Sequence, residues 1–281
     1  MAIATDKYKT PYQAMLTRLS TDSWPAKNDR SMLDKRLNIA VERWCAWEPL
    51  AGARAICSHY NGGVQANERV EKPDLTTVSA MQRRRLGTLA RIVFHVLARC
   101  TGAGAQEPVV FSSFMGEIER TQGILGAIAA NQPISPAAFS LSVHNAIGGQ
   151  WSLAHGITAP MIALAPPANS PVSALLEAEG MLLEGEYPAI NVVYYEEPYP
   201  EFYTPFLQGP ADPVALALRL VPSSDAECKG LIRISIERLP SQGCAPDLRS
   251  NLAALADLLA AKRSSVLVQE EHCSWLLRRV D

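Results

Sequence analysis

The chain has 281 residues, of which 48% are hydrophobic and 19% are charged, and its formal net charge is −2. Such a chain can bury one large globular core, and its near-neutral charge gives no support for a nucleic-acid-binding surface. No run of about 18 apolar residues could span a bilayer, and the N-terminal residues lack the apolar stretch of a secretory signal, so we expect a cytoplasmic protein.

The predicted elements begin after a polar segment, residues 1–36, which we expect to be a loose or surface-bound extension of a domain spanning 37–281. A strand is predicted over 37–44, and Gly62, Gly63 and the polar residues after them predict a loop until about Thr76. A helix is predicted through residues 81–100, capped by Thr77 or Ser79. Three arginines, residues 83–85, would lie unfavourably at its N-terminus. Either they meet an acidic partner or the helix begins after them.

An α/β alternation follows. Strands are predicted at 108–112, 139–143, 161–165 and 189–195, and helices at 116–130, 145–155 and 171–184. Strands that alternate with helices imply crossover connections and a mainly parallel sheet, here of five strands with flanking helices.

The composition changes after Tyr195. Glu196, Glu197 and Glu201 are predicted to form a solvated acidic surface strip within a proline-rich segment. Strands over 214–221 and 231–238 are predicted to pair as a hairpin, followed by a helix over 247–262 and a closing strand over 274–280.

The cysteines and the short motifs give no sign of a bound group. The six cysteines are widely spaced, with no C-x-x-C pair, which favours reduced cytosolic thiols over a disulfide framework or a zinc site. No G-x-G-x-x-G, Walker or H-E-x-x-H motif is present, so we expect no cofactor and no metal.

Residues 158–185 have the pattern of a strand, a tight turn and a helix. This segment resembles the nucleophile elbow of β-ketoacyl synthases, where a strand runs into a cysteine at the head of a helix. Aligned without a gap, the cysteine position falls on Ala168. Without a thiol, an acyl-enzyme cannot form there.

Further local matches occur in a fixed order along residues 37–281. They are Arg43-Trp-Cys-Ala-Trp47, the Arg-Arg-Arg-Leu run ending at Leu86, Phe139-Ser-Leu-Ser-Val-His-Asn145, Tyr195-Glu-Glu-Pro198, and the segment from Trp275 to Val280. Together they resemble the chain-length-factor subunits of aryl-polyene-type type II polyketide systems. The resemblance implies half of a thiolase-like fold with a C-terminal hairpin and helix extension. After Tyr195 the chain is too short for a second sheet layer, and it retains only His272 where ketosynthases carry two catalytic histidines.

The implied function is that of a non-catalytic ketosynthase-like subunit. It would form a heterodimer with an active β-ketoacyl-ACP synthase, shape its acyl tunnel in polyene or polyketide biosynthesis, and meet the acyl carrier protein only indirectly. Two other functions stay open: an autonomous acyltransferase or hydrolase that uses Ser170 or a cysteine such as Cys45, and a structural homodimer.

Several residues are candidates for the tunnel wall and the interface. Ala137 and Ala138 match bulky aromatic residues that, in resembling ketosynthases, reach across the dimer axis; alanines there would either open a slot or merely permit tight packing. Phe114, after the second strand, is a candidate for a different wall of that tunnel, and Phe139 and Asn145 lie in a matching segment. Gly148 and Gly149 each cost about 1 kcal/mol in a helix relative to alanine, and a close helix–helix approach would justify that cost.

Three polar residues have structural explanations as well as chemical ones. Ser170 precedes Pro171 and is predicted to be a helix N-cap, with a nucleophile as the alternative. Asn145 is predicted to cap the helix that follows it, and His144 to be buried and hydrogen-bonded.

Overall fold

The computed structural model describes residues 36–50, 54–61, 63–102, 104–166, 170–223, 230–240, 250–270 and 273–280. Its strands are β1 (Leu37–Leu50), β2 (Arg54–Asn61), β3 (Val64–Val70), β4 (Val109–Ser112), β5 (Met161–Leu164), β6 (Ile190–Glu196), β7 (Val214–Val221), β8 (Ile232–Pro240), β9 (Ser265–Gln269) and β10 (Cys273–Arg279). Its helices are α1 (Ala80–Arg83), α2 (Thr88–Cys100), α3 (Ile118–Ala129), α4 (Pro136–Ser140), α5 (Ala146–His155), α6 (Pro171–Leu183) and α7 (Ser250–Leu259).

The ten strands form one mixed sheet in the order β5-β4-β6-β7-β1-β8-β10-β9, with the β2–β3 hairpin attached to β1. Only β5, β4 and β6 are parallel, and every other pair is antiparallel. The prediction of a mostly parallel five-stranded sheet is therefore wrong. Helical crossovers join the three parallel strands, whereas β1 and the C-terminal strands extend the same sheet in antiparallel fashion.

The long strand β1 organises the antiparallel part. β7 lies along one edge of β1, while β8 occupies the other edge as far as Val41 and β2 occupies it from Arg43 onward. The predicted hairpin between residues 214–221 and 231–238 is consequently wrong, because β1 lies between β7 and β8. In this arrangement β1 is a central strand, and its residues Ile39 and Val41 are completely buried. A separate two-stranded hairpin of β7 and β8 on the surface would have no such core.

Helices cover both faces of the sheet. On one face α6 and α7 contribute Leu175 and Leu255 to a core that also contains Trp44 of β1. On the other face α2 and α5 contribute Phe94 and Trp151, whose rings meet edge-to-face at 5.0 Å. The sheet is thus buried on both faces, as the continuous apolar runs in β4 and β6 require. No helix in the described part of the chain is long and apolar enough to cross a membrane.

Local differences from the predicted elements have local causes. Ser79 caps the short α1, and the longer α2 begins at Thr88, after the three arginines, so the second alternative for that helix is confirmed. The predicted loop from Gly62 to about Thr76 contains the strand β3, which pairs with β2. Residues 136–140 are helical, although 139–143 were expected to be extended, because Ser135 caps a helical turn begun by Pro136. The predicted extension lies outside the described residues except for Arg36.

Candidate functional site

A buried carboxylate joins the carboxyl ends of β4 and β6. Glu196 is the last residue of β6 and only 1% exposed. One carboxylate oxygen accepts hydrogen bonds from the Ser113 hydroxyl at 3.0 Å and from the Phe114 backbone N–H, and the other accepts one from the Tyr199 hydroxyl at 3.4 Å. Glu196 therefore fixes the turn that leads from β4 towards α3 and holds Phe114 beside the sheet.

Two further carboxylates lie beside this turn. Glu197 accepts a hydrogen bond from the backbone N–H of Glu119 at 3.1 Å, and Glu117 forms an ion pair with Arg120 at 2.5 Å. Burial raises the pKa of Glu117, and it raises the pKa of both Glu196 and Glu197 to about 7 despite the hydrogen bonds they accept.

The predicted acidic surface strip is therefore wrong at its first two positions. Glu196 and Glu197 are buried because backbone N–H groups beyond β4 and at the start of α3 need acceptors. Only Glu201 is exposed, as expected. A signal for their burial is present in the sequence, because both carboxylates lie at the end of an apolar strand, where functional side chains are often found.

The turn that carries Ala168 lies outside the described residues, so the loss of a nucleophile at this position stays a prediction from the sequence. Ser170 follows it and caps α6, which confirms the predicted N-cap. Its hydroxyl accepts a hydrogen bond from the Val172 N–H at 3.4 Å and donates one to Glu270 at 2.5 Å. The residue is 1% exposed, and the other proposed nucleophile, Cys45, is fully buried.

His144 and Asn145 precede α5. A ring nitrogen of His144, Nε2, lies 2.8 Å from the Ser113 carbonyl oxygen, so this half-buried side chain is hydrogen-bonded as predicted. Asn145 is at the N-cap position, but its side chain makes no capping hydrogen bond and is exposed. The prediction of a side-chain cap at Asn145 is wrong, because its backbone lies near the helical region and does not aim the amide at the first turn.

The two candidate glycines of α5 have different surroundings. A Cβ atom on Gly148 would lie 3.2 Å from the ring of Phe111, so this glycine permits close packing of the helix on β4 within the chain itself. A Cβ atom on Gly149 would meet nothing within 4 Å. Both glycines line an open cavity of about 520 Å³ between α5 and β5, together with Asn145 and Ile162.

Exposed apolar side chains are concentrated in the segment from α3 to α5. Phe139 is 59% exposed, Ala137 is exposed and Ala138 is half-buried. We call the large apolar residues of this segment the α3–α5 apolar surface; they are Leu125, Ile128, Ile134, Phe139, Val143 and Leu153. Beside α5, the strand β5 is an edge strand that pairs only with β4 among the described strands.

Known proteins share this architecture. Residues 58–277 match the family model described as the N-terminal domain of β-ketoacyl synthase. No curated protein sequence matches the chain at a significant level.

Three solved structures resemble the chain. A chain of the ketosynthase ApeO in complex with its chain length factor ApeC from Xenorhabdus doucetiae matches with a TM-score of 0.62 and 22% identity, covering 86% of this chain and 100% of that one. The ishigamide ketosynthase/chain length factor matches with a TM-score of 0.56 and 13% identity, over 87% of this chain and 100% of that one. A β-ketoacyl synthase from Burkholderia phymatum STM815 matches with a TM-score of 0.51 and 13% identity, over 82% and 71%.

At such identities these structures show that the fold is thiolase-like, and the family model covers most of the sequence. The chain therefore belongs to the family of β-ketoacyl synthase N-terminal domains.

Proposed function

We propose that this chain is a non-catalytic, chain-length-factor subunit that forms a heterodimer with an active β-ketoacyl-ACP synthase. It would work in the cytoplasm in polyene or polyketide biosynthesis, of the aryl-polyene type that the sequence resembles. The observation that carries the proposal is the edge strand β5, which is uncharged and lies beside α5, the last helix of the α3–α5 apolar surface.

An open edge strand presents unpaired backbone groups that a second sheet can satisfy. Met161–Leu164 carries no charge that would oppose such pairing. The neighbouring apolar surface offers area that water solvates poorly, and Gly149 leaves room for a close approach to α5. A permanent complex needs more than about 2,000 Å² of mainly apolar interface, and this side of the molecule supplies suitable side chains.

The burial of the two candidate nucleophiles, Ser170 and Cys45, supports a non-catalytic role. Ala168 occupies the position that matches the ketosynthase cysteine. Ser170 and Cys45, the alternatives for an autonomous acyltransferase or hydrolase, are too deeply buried to attack a thioester. Bond formation would then take place in the partner, which also receives the acyl carrier protein.

The partner is inferred from the solved complexes. Two of the similar structures are named as a ketosynthase together with a chain length factor. In this arrangement Phe114, Ala137, Ala138 and Phe139 would contribute to the wall of the partner's acyl tunnel. The small side chains of Ala137 and Ala138 would admit a longer acyl chain. Each methylene group that is buried there would stabilise the bound acyl chain by about 0.8 kcal/mol.

Co-purification with the ketosynthase encoded beside this gene tests the pairing. We expect a stable complex that is lost in Gly149→Arg, because the new side chain projects from an open position into the interface. Gly180→Arg is the matched control: it is an exposed helical glycine with equally open surroundings, on α6 and on the opposite face of the sheet. A complex that tolerates both substitutions, or a monomer that never binds the ketosynthase, would contradict the proposal.

Product analysis tests the tunnel. Ala138→Phe is expected to shorten the polyene made by the reconstituted pair, because an aromatic side chain fills ~150–250 Å² of the proposed slot. Ala253→Phe, at an exposed position of α7 on the opposite face of the sheet, serves as the control. An unchanged product distribution from an intact Ala138→Phe complex would show that Ala138 does not line the tunnel.

A further inference from the structure

A group of metal-ligating side chains lies far along the sheet from the proposed interface, on the β2–β3 hairpin. Cys57 and His59 alternate on β2 and therefore point to the same face of the sheet. Glu68 of β3 is the direct cross-strand partner of Cys57, so its side chain is on that face too. The hairpin register thus brings a sulfur, a nitrogen and an oxygen donor together.

The donors converge closely. One ligand atom from each of Cys57, His59 and Glu68 lies within 4.8 Å of the other two. Cys57 is fully buried, whereas His59 and Glu68 are half-buried, so an ion can enter from the hairpin side. His59 Nδ1 is shielded from solvent, and no hydrogen-bonding group among the described residues reaches it. A buried ring nitrogen without a partner indicates that a ligand is missing from its surroundings.

The surroundings of Cys57 and Glu68 supply a second thiol and one cation. The Cys45 thiol lies 3.1 Å from Cys57 Sγ, and Arg99 forms an ion pair with Glu68. A metal ion binds cysteine as the thiolate. The Cys57 thiolate and the Glu68 carboxylate would then carry two negative charges against the one positive charge of Arg99, and a divalent ion would offset the remainder.

We propose that Cys57, His59 and Glu68 bind a divalent transition-metal ion, for which zinc has the most suitable chemistry. Thiolate, imidazole and carboxylate are the three protein ligands that zinc takes, with bond lengths near 2.0–2.3 Å that small side-chain rotations would reach here. The ion would crosslink β2 to β3 beneath α2, because two of its ligands lie on β2 and the third lies on β3. This site is independent of the proposed pairing with a ketosynthase.

Cobalt is the probe for this site. The full chain is stripped with a chelator, kept in a non-thiol reductant so that no Cys45–Cys57 disulfide forms, and titrated with Co²⁺. We expect a thiolate-to-cobalt charge-transfer band that saturates at one ion per chain and disappears when Zn²⁺ is added. Cys57→Ser is expected to abolish the band, and Cys273→Ser, which replaces a buried thiol elsewhere in the sheet, is expected to keep it.

A second pair of variants guards against misfolding of the buried Cys57 variant. Glu68→Gln removes a half-exposed ligand, and we expect at least the ~10–100-fold loss of zinc affinity typical of removing even an outer-shell partner. Glu71→Gln, an exposed neighbour, should bind as the wild type does. Zinc should raise the Tm of the wild type and of Glu71→Gln more than that of Glu68→Gln. No charge-transfer band, a band that survives Cys57→Ser, or equal affinities in the two glutamate variants would overturn the proposal.

Discussion

Two open edges of the sheet, β5 and β3, are built differently. β5 has the sequence Met-Ile-Ala-Leu and lies beside the exposed apolar residues of α3 to α5. β3 has the sequence Val-Gln-Ala-Asn-Glu-Arg-Val, and its Glu68 forms an ion pair with Arg99. Both strands pair on one side only among the described strands.

Charges on an edge strand discourage pairing with another chain, because association would remove them from water. β3 carries such charges and β5 does not. The difference indicates that β3 is protected against pairing with another chain and that β5 is available for it, which agrees with the proposed pairing through β5. Four predictions test this contrast.

The largest effect is expected from a charge placed on the β5 edge. Ala163→Lys would bury an uncompensated ammonium group when the partner covers the strand. We expect a loss of binding free energy on the order of 4 kcal/mol, about a thousandfold in affinity for the ketosynthase. Asn67→Lys, at an exposed position of β3, should leave the affinity unchanged. Calorimetric titration of the two variants decides, and equal affinities would remove the distinction between the edges.

The pH dependence of stability should depend on Glu196, near the β5 side of the sheet, and not on Glu68 at the β3 edge. Burial raises the pKa of Glu196 from its ordinary 4.5 to about 7. The folded state therefore holds this proton more tightly than the unfolded state, and its stabilising contribution is complete below about pH 4.5. As the pH rises to about 7, roughly 3 kcal/mol of unfolding free energy should be lost from this group alone.

Urea unfolding at several pH values measures this loss. Glu196→Gln should flatten the decline between pH 4.5 and 7. The part that remains should come from Glu197, Glu117 and Glu179, whose pKa values are raised by burial in the same direction. Glu68→Gln on β3 should leave the decline as it is in the wild type. Parallel pH profiles for the Glu196→Gln variant and the wild type would contradict the assignment.

Adjacent glycines in α5 should respond unequally to the same substitution. Gly148→Val would press its side chain against the buried ring of Phe111, which itself packs on Tyr195, and we expect a loss of about 2 kcal/mol. Gly149→Val, in open surroundings, should change stability by less than ~0.5 kcal/mol because the helix propensities of valine and glycine differ little. Thermal unfolding of both variants provides the comparison, and similar losses would mean that Phe111 can move aside.

The smallest effect is expected at Ser170. Ser170→Ala removes the side-chain cap of α6 and should cost about 1 kcal/mol in unfolding free energy. Intact-mass analysis after incubation with acyl-CoA or acyl carrier protein should find no acyl adduct in the wild type or in the variant. A stable adduct that disappears in Ser170→Ala would restore the catalytic alternative.

The parts of the fold that the sequence predicted have local signals. Ser170 and Pro171 mark the start of α6, and Gly156, in the left-handed conformation, ends α5. Such caps act within a few residues, so they can be read from the chain without knowledge of its contacts. The three parallel strands and their crossover helices were found for this reason.

The parts that the sequence did not predict depend on distant partners. β7 and β8 look like the arms of a hairpin, but β1 from the other end of the chain lies between them. Likewise, Glu196 and Glu197 look like surface residues until Ser113 and Glu119 approach them. The turn between β2 and β3 does have a sequence signal, because it needs a residue with a positive φ, here 102°, and Gly63 supplies it. Residues of β3 also alternate between exposed and half-buried, but the polar composition of β3 resembles that of a loop.

Part of the candidate site can be read from the sequence. Six residues between 137 and 149 are candidates on sequence grounds, and four of them, Ala137, Phe139, Asn145 and Gly149, are exposed. Their place in an interface stays a prediction. Which glycine of α5 packs on Phe111 and which has open surroundings could not be predicted, because one residue of helix rotation separates the two environments.

The position of β1 has a consequence for biosynthesis. Leu37 pairs with Ile236, so β1 leaves the ribosome long before β8, the neighbour that it needs on that side, has been made. Until then its apolar residues, Ile39 and Val41 among them, have no sheet to join on that side. Folding that depends on such distant contacts is slow, and a nascent chain in this condition is a natural client for chaperones.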